Sequence, residues 1–149
     1  MNIAFFLKPK VSVAFLYSDY TVRQALEKMR HYGYSAIPVI HRDGRYAGTV
    51  SEGDFLWYLS DRFSENININ EKTLEETPLA KIIKNDAYTP VKITADVNDL
   101  VKLSMNQNFV PVTDDFDSFI GIVTRRDIIK HLTENQRHQF ENNKSRIQF

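Results

Sequence analysis

The sequence contains no cysteine, which excludes disulfides, thiolate metal sites and thiol nucleophiles and fits a cytosolic protein. It has no excess of either charge: Lys plus Arg and Asp plus Glu number 19 each. Holding DNA or RNA through bulk charge is therefore not expected. No run approaches the ~18 apolar residues that a membrane-spanning helix needs. Residues 1–7 are apolar but meet Lys8-Pro9-Lys10 without a basic leader. The stretch is too short for a signal peptide, so a cytoplasmic location is expected. There is no P-loop, no Gly-x-Gly-x-x-Gly and no Ser/His/Asp arrangement, so no enzyme is expected. His31, His41, His131 and His138 lack metal-ligand spacing, and the loop bearing Asp114, Asp115 and Asp117 lacks the glycine and final glutamate of an EF-hand. No metal is expected.

What is present reads as globular. An apolar content of 42% with 26% charged residues is ordinary for a packed domain, and 149 residues suffice for a core without disulfides. The spacing predicts a short N-terminal helix, a break at Pro9 and a strand over residues 11–16. Thr21 caps a helix whose inner face is Val22, Ala25, Leu26 and Met29, and Gly33 stops it. Residues 34–40 form a strand in which Pro38, having no donor, predicts an edge or a bulge. Asp43-Gly44 turns a hairpin into residues 46–50, and Ser51 opens a helix bearing Phe55, Leu56, Tyr58 and Leu59. Residues 61–77 lose periodicity and read as a linker, with a partial helix or a short strand through Ile67 and Ile69. Then come a short helix over residues 79–84, an extended stretch over 88–93 and a helix capped by Asp96. Strands at 108–112 and 119–123 follow, and a last helix continues into a polar tail, residues 134–149, that frays.

Glycine and proline are scarce, at 5 each, so their spacing carries information. Pro38 and Pro111 are 73 residues apart (111 − 38 = 73), and so are Gly48 and Gly121, Ser51 and Thr124, and Asp54 and Asp127. Val22 and Val97 match at a separation of 75 (97 − 22 = 75). The chain is thus two copies of one unit, each with an apolar sheet face the other can cover. The expected fold is α/β (α+β), with repeats at 1–60 and 78–133 packed sheet to sheet about a pseudo-twofold axis.

Each repeat ends in a strand feeding directly into a helix. Such a junction presents unpaired N–H groups and the positive end of a helix dipole, which suit phosphate. An aspartate just inside can accept from ribose hydroxyls, and a Ser or Thr at the cap can bond ribose or phosphate. In the second copy Arg125 and Arg126 add planar phosphate donors; the first has Glu52 and Gly53 there. The alternative is that Ser51/Asp54 and Thr124/Asp127 are capping pairs and nothing more.

These residues resemble the CBS (cystathionine-β-synthase) domain family over about residues 3–132. The matching marks are Ser35-Ala36-Ile37-Pro38-Val39 and Phe109-Val110-Pro111-Val112. Each is followed by Gly-x-x-[Ser/Thr]-x-x-Asp, at Gly48 to Asp54 and Gly121 to Asp127. The resemblance implies a tandem pair that often dimerises into a disc and binds AMP, ADP, ATP, S-adenosylmethionine, NAD or cyclic di-AMP. With no enzyme or channel attached, the chain looks like the stand-alone class of sensors and regulatory partners. It is expected to be a homodimer acting on an unidentified target protein, with the nucleotide as regulatory ligand and no obligatory cofactor. Thr124-Arg125-Arg126 followed by an acid is similar to stand-alone bacterial pairs that bind cyclic di-AMP. Carried over from the family, Thr124 and Asp127 work with Ala14, Tyr34, Ala36, Pro38 and Lys10, and Ser51 and Asp54 with Thr89, Phe109 and Val110. The helix of Trp57 and Tyr58 lies at a dimer face in this family. A ligand-free structural or protein-interaction module is the alternative function.

Overall fold

Caps set the helix starts in the computed structural model, which describes residues 2–84 and 87–147. Helix α1, Val22–Tyr32, begins at Thr21, whose side chain accepts from Gln24 N while the Gln24 side chain reaches back. It ends at Gly33, which adopts φ 71°, a left-handed conformation that costs glycine little. Ser51 opens α2, Glu52–Ser64. Asn70 opens α3, Glu71–Glu76, and Asp96 opens α4, Val97–Ser104. Helix α5, Arg125–Ile147, carries the expected polar tail as unbroken helix; residues 148–149 of that tail lie outside the described residues, as do Met1 and residues 85–86.

The strands are β1 (Lys8–Pro9), β2 (Leu16–Tyr17), β3 (Ala36–Ile40), β4 (Tyr46–Ser51), β5 (Val91–Lys92), β6 (Phe109–Thr113) and β7 (Phe119–Thr124). They form one sheet in the order β2-β3-β4 and another in the order β1-β7-β6-β5. The repeat is visible in the register. Ala36 pairs with Ser51 and Pro38 with Thr49, while Phe109 pairs with Thr124 and Pro111 with Ile122. Both hairpins shift register at the same place, Val39/Ile40 and Val112/Thr113. The hairpin tips meet each other: Phe119 N donates to Gly44 O at 2.9 Å and Tyr46 N to Asp117 O at 3.0 Å. The result is the mixed α/β pair of repeats that the spacing predicts.

Several expectations are corrected. Pro38 is on the central strand of its sheet, not an edge, and the bulge alternative holds, since the register shifts just beyond it at Val39/Ile40. It is tolerated there because β2 pairs only with Val39 and Ile40, leaving the Pro38 position without a ladder partner on that side. Residues 11–16 are not one strand. A 3-10 turn at Lys10–Ser12 precedes the two-residue β2. Of the two options for the linker the structure has the partial helix, with α2 running to Ser64 and α3 filling Glu71–Glu76, and Ile67 and Ile69 form no strand. The short helices expected at the N-terminus and after Pro78 are 3-10 turns, Ile3–Phe6 and Leu79–Lys81, the second ending three residues before the expected Lys84.

The largest departure concerns which half owns which residues. The turn Ile3–Phe6 buries Ile3 and Phe6 among Leu100, Val110, Val123 and Ile128, in the second core. The turn Leu79–Lys81, with Ile82, packs into the first core against Leu16, Val22 and Phe55. Each repeat thus lends its leading segment to the other. Backbone bonds hold the exchange: Leu79 N donates to Tyr20 O and Val22 N to Thr77 O, both at 2.8 Å, and β1 pairs antiparallel with β7. The repeated glycines make room for it. A Cβ on Gly121 would lie 2.1 Å from Lys8 O, and one on Gly48 would lie 2.6 Å from Ile83 Cγ2.

Candidate functional site

The two repeats enclose a cleft of ≈ 230 Å³. Its first-repeat wall is Val13, Ala14, Tyr34, Ala36 and Pro38, and its second-repeat wall includes Asn108, Phe109, Ile122 and Thr124. The small side chains of Ala14 and Ala36 keep the slot open. Tyr34 is half exposed at its edge and stacks on Tyr32 with ring centroids 6.0 Å apart. Thr124 ends β7 facing this wall, and its Oγ1 accepts from Asp127 N at 3.2 Å. A flat apolar slot with a hydroxyl at one end suits a planar heterocycle joined to a polar sugar.

Asp127 sits in the first turn of α5 and is partly exposed. Among the described residues its carboxylate accepts no hydrogen bond, and it is paired with Lys8 Nζ at 3.9 Å. Lys8 also lines the cleft, so it links Asp127 to the slot. Lysine at this place was expected from residue 10. Instead Lys10 Nζ stands 5.4 Å from the centroid of the Phe15 ring and is absent from the cleft lining. Nothing in the sequence marks Lys8, because a two-residue strand leaves no periodic signal.

The arginines part company. Arg125 turns back to the end of α4, where its Nε donates to Ser104 O at 2.6 Å and Gln107 O at 3.1 Å. The Ser104 carbonyl, at the end of α4, needs such a donor, and Arg125 is absent from the cleft lining. Arg126 is exposed and makes no ion pair among the described residues.

The first copy of the motif is closed. Ser51 N donates to Asp54 Oδ2 at 2.9 Å, and Asp54 N to Ser51 Oγ at 3.4 Å. Asp54 is only 7% exposed. Its carboxylate serves as a cap; of Thr89, Phe109 and Val110, the residues expected to group with Ser51 and Asp54, Phe109 lines the cleft on the Thr124 side. Val110 is core. Thr89 is clamped through its backbone, with its N donating to Gln107 Oε1 at 3.0 Å and its O accepting from Gln107 Nε2 at 3.1 Å. Tyr88 and Phe109, where the first repeat has Val13 and Ala36, pack ring to ring at 4.8 Å. Tyr46 braces them, its hydroxyl donating to Tyr88 O at 3.2 Å and contacting Thr49 Oγ1 at 2.7 Å. Burial pushes the Tyr46 phenol above its ordinary range, against the opposing pull of the Thr49 hydrogen bond.

The family model for the CBS domain matches residues 9–61 and 76–134. The chain belongs to the CBS domain family. It is similar to the uncharacterized protein MJ1426 of Methanocaldococcus jannaschii, 29% identical over 142 residues and covering 78% of this chain and 84% of that one. Other curated relatives are longer, and the chain spans between 21% and 45% of their length. Among solved structures, CbpB in complex with c-di-AMP superposes with a TM-score of 0.81 at 22% identity, covering 96% of this chain and 91% of that one. CBSX2 in complex with AMP superposes at 0.71 with 20% identity, covering 91% and 98%. At these identities the superpositions speak for the fold.

Proposed function

We propose that the chain is a non-enzymatic regulatory module that senses an adenine nucleotide in the cleft between its repeats. The base lies between Ala14, Tyr34, Ala36 and Pro38, and the ribose meets Thr124 and Asp127. One observation carries this reading: among the described residues the Asp127 carboxylate accepts no hydrogen bond and lines a hollow that adjoins the slot through Lys8, whereas its counterpart Asp54 is buried in a closed capping box. The nucleotides in the CbpB and CBSX2 complexes support the ligand class. One ligand binds per chain. Ser18 Oγ and His41 Nδ1 meet at 2.9 Å, but the adjacent Asp19 is held by Arg42 at 2.8 and 3.1 Å, so no acid–base–nucleophile relay forms around them. Exposed Leu56, Trp57 and Phe63 on α2 and Ile129 and Leu132 on α5 support a homodimer, whose contacts pass the signal to a target protein.

A thermal-shift panel of AMP, ATP, S-adenosylmethionine, NAD and cyclic di-AMP tests the reading. Ligand at a hundred times its Kd stabilises by about 2.7 kcal/mol, a rise of roughly 5–10 °C for a chain of this size. Asp127→Ala removes the rise. The closed box at Asp54 favours a second reading, a ligand-free scaffold. Absence of any shift with all five ligands at millimolar concentration would establish that reading instead.

A further inference from the structure

Lys8 stands where two features of the molecule meet. Its backbone is fixed on the second repeat by pairing with Ile122, and Pro9 is fixed opposite Gly121. Just upstream, Ile3 and Phe6 anchor the same strap in the second core. Its side chain is not fixed in that way. It is 53% exposed and reaches Asp127 at 3.9 Å, too long and too exposed for a strong ion pair. The same residue lines the cleft beside Thr124. A lysine offers a compact charge on a rotatable stem, so a rigid backbone here carries a cation that can turn from the carboxylate to the slot.

Other cations near the cleft are placed differently. Arg125 Nε is held by Ser104 O and Gln107 O, Lys10 lies over Phe15, and Arg125, Arg126 and Lys10 are all absent from the cleft lining. Lys130 lines the adjoining hollow that Asp127 and Lys8 share, outside the cleft itself. Given the nucleotide reading above, on which this step rests, we infer that Lys8 is the residue that reads phosphate. In the empty cleft it neutralises Asp127. When ribose hydroxyls donate to the Asp127 carboxylate, Lys8 turns to the phosphate and forms a charge-assisted bond. Two consequences follow. The cleft discriminates nucleoside phosphates from nucleosides through a single side chain. The ligand's charge is also registered on the strap of residues 3–9, which is anchored on the second repeat.

The test is isothermal titration of adenosine and AMP, with cyclic di-AMP added, into the full chain and into Lys8→Met and Lys8→Arg. Methionine keeps the stem and removes the charge, and melting curves verify that both variants fold. The unsubstituted chain is expected to bind AMP about ten- to a hundredfold more tightly than adenosine, the range of a charged hydrogen bond. In Lys8→Met that preference falls to within about threefold, while adenosine affinity holds or rises because Asp127 is released. Lys8→Arg retains most of the preference. An AMP-to-adenosine ratio unchanged in Lys8→Met, with binding intact, overturns the role of Lys8 and leaves the nucleotide reading standing. Binding of cyclic di-AMP alone, undiminished in Lys8→Met, overturns it equally. No binding of any of these ligands to the unsubstituted chain overturns both.

Discussion

Gly121→Ala should be far more damaging than its position on a half-exposed strand pair suggests. The added Cβ would lie 2.1 Å from Lys8 O, 3.0 Å from Lys8 C and 2.9 Å from Leu7 Cδ1. Two of these atoms are backbone in β1 and have no rotamer to escape into. Gly121 also has φ 155°, which alanine holds only at a cost of about 1–3 kcal/mol. Strain alone does not remove the clash, so β1 must move, and the turn Ile3–Phe6 moves with it. Ile3 is 0% and Phe6 8% exposed. Uncovering two such side chains costs about 3–6 kcal/mol at about 1.5–3 each. A chain of this size loses about 2–4 °C per kcal/mol, so melting should fall by on the order of 10 °C or more. Amide exchange at Leu7, whose N donates to Ala4 O at 3.3 Å, should rise in step. Gly48→Ala is the internal comparison, since φ is similar at 148° but the nearest atom is Ile83 Cγ2, a methyl that can turn aside. Equal melting losses for the two, or a Gly121→Ala protein melting within about 2 °C of the parent with Leu7 still protected, would refute the strap argument.

Asp54→Ala should cost about 1 kcal/mol as a lost cap and leave nucleotide binding unchanged, whereas Asp127→Ala should abolish binding with little effect on the unliganded melt; titration calorimetry separates the two. The same titration should saturate at one nucleotide per chain, and two equal sites would contradict the packing of Tyr88 on Phe109. Tyr46→Phe leaves the Thr49 hydroxyl, 1% exposed, without its partner and should cost about 1–3 kcal/mol by chemical denaturation. The phenol is held neutral by burial, so its folded pKa lies above the unfolded one. Its stabilising contribution is complete below pH ~10 and declines as pH rises beyond that, a slope Tyr46→Phe should remove. Replacing Trp57, 58% exposed on α2, by arginine should shift a dimer to monomer in light scattering; a parent that is already monomeric would refute the homodimer.

The parts of this molecule legible in the sequence were those encoded locally or twice. Thr21, Gly33, Ser51 and Asp96 act within a few residues of themselves and announce helix ends directly. The separation of 73 carried the hairpin register from one repeat to the other, down to the paired bulges. What was illegible depended on contacts between distant segments. Ile3 and Phe6 are apolar residues before a proline, and no pattern says which of two near-identical cores receives them. The sequence does not separate Lys8 from Lys10, because a two-residue strand decides which of them lines the cleft. The diversion of Arg125 needed the end of α4, some twenty residues upstream, as an acceptor. Asp54 and Asp127 look alike in sequence, and only the structure shows the Ser51 amide 2.9 Å from the Asp54 carboxylate, a contact without a counterpart at Asp127 among the described residues.

The exchanged leading segments also govern how this chain must be made. Residues 3–9 leave the ribosome long before Gly121 exists to receive them, so the strap waits unpaired through most of synthesis. The first repeat is likewise missing Leu79 and Ile82 from its core until translation has passed the linker. Neither half can be finished before the other has begun, and closing so long a loop late slows folding more than it weakens the final state. A ribosome-stalled chain ending before β7 would expose Ile3 and Phe6 to chaperones. Separately expressed halves would each lack a piece of their own interior, and would regain it only by finding one another.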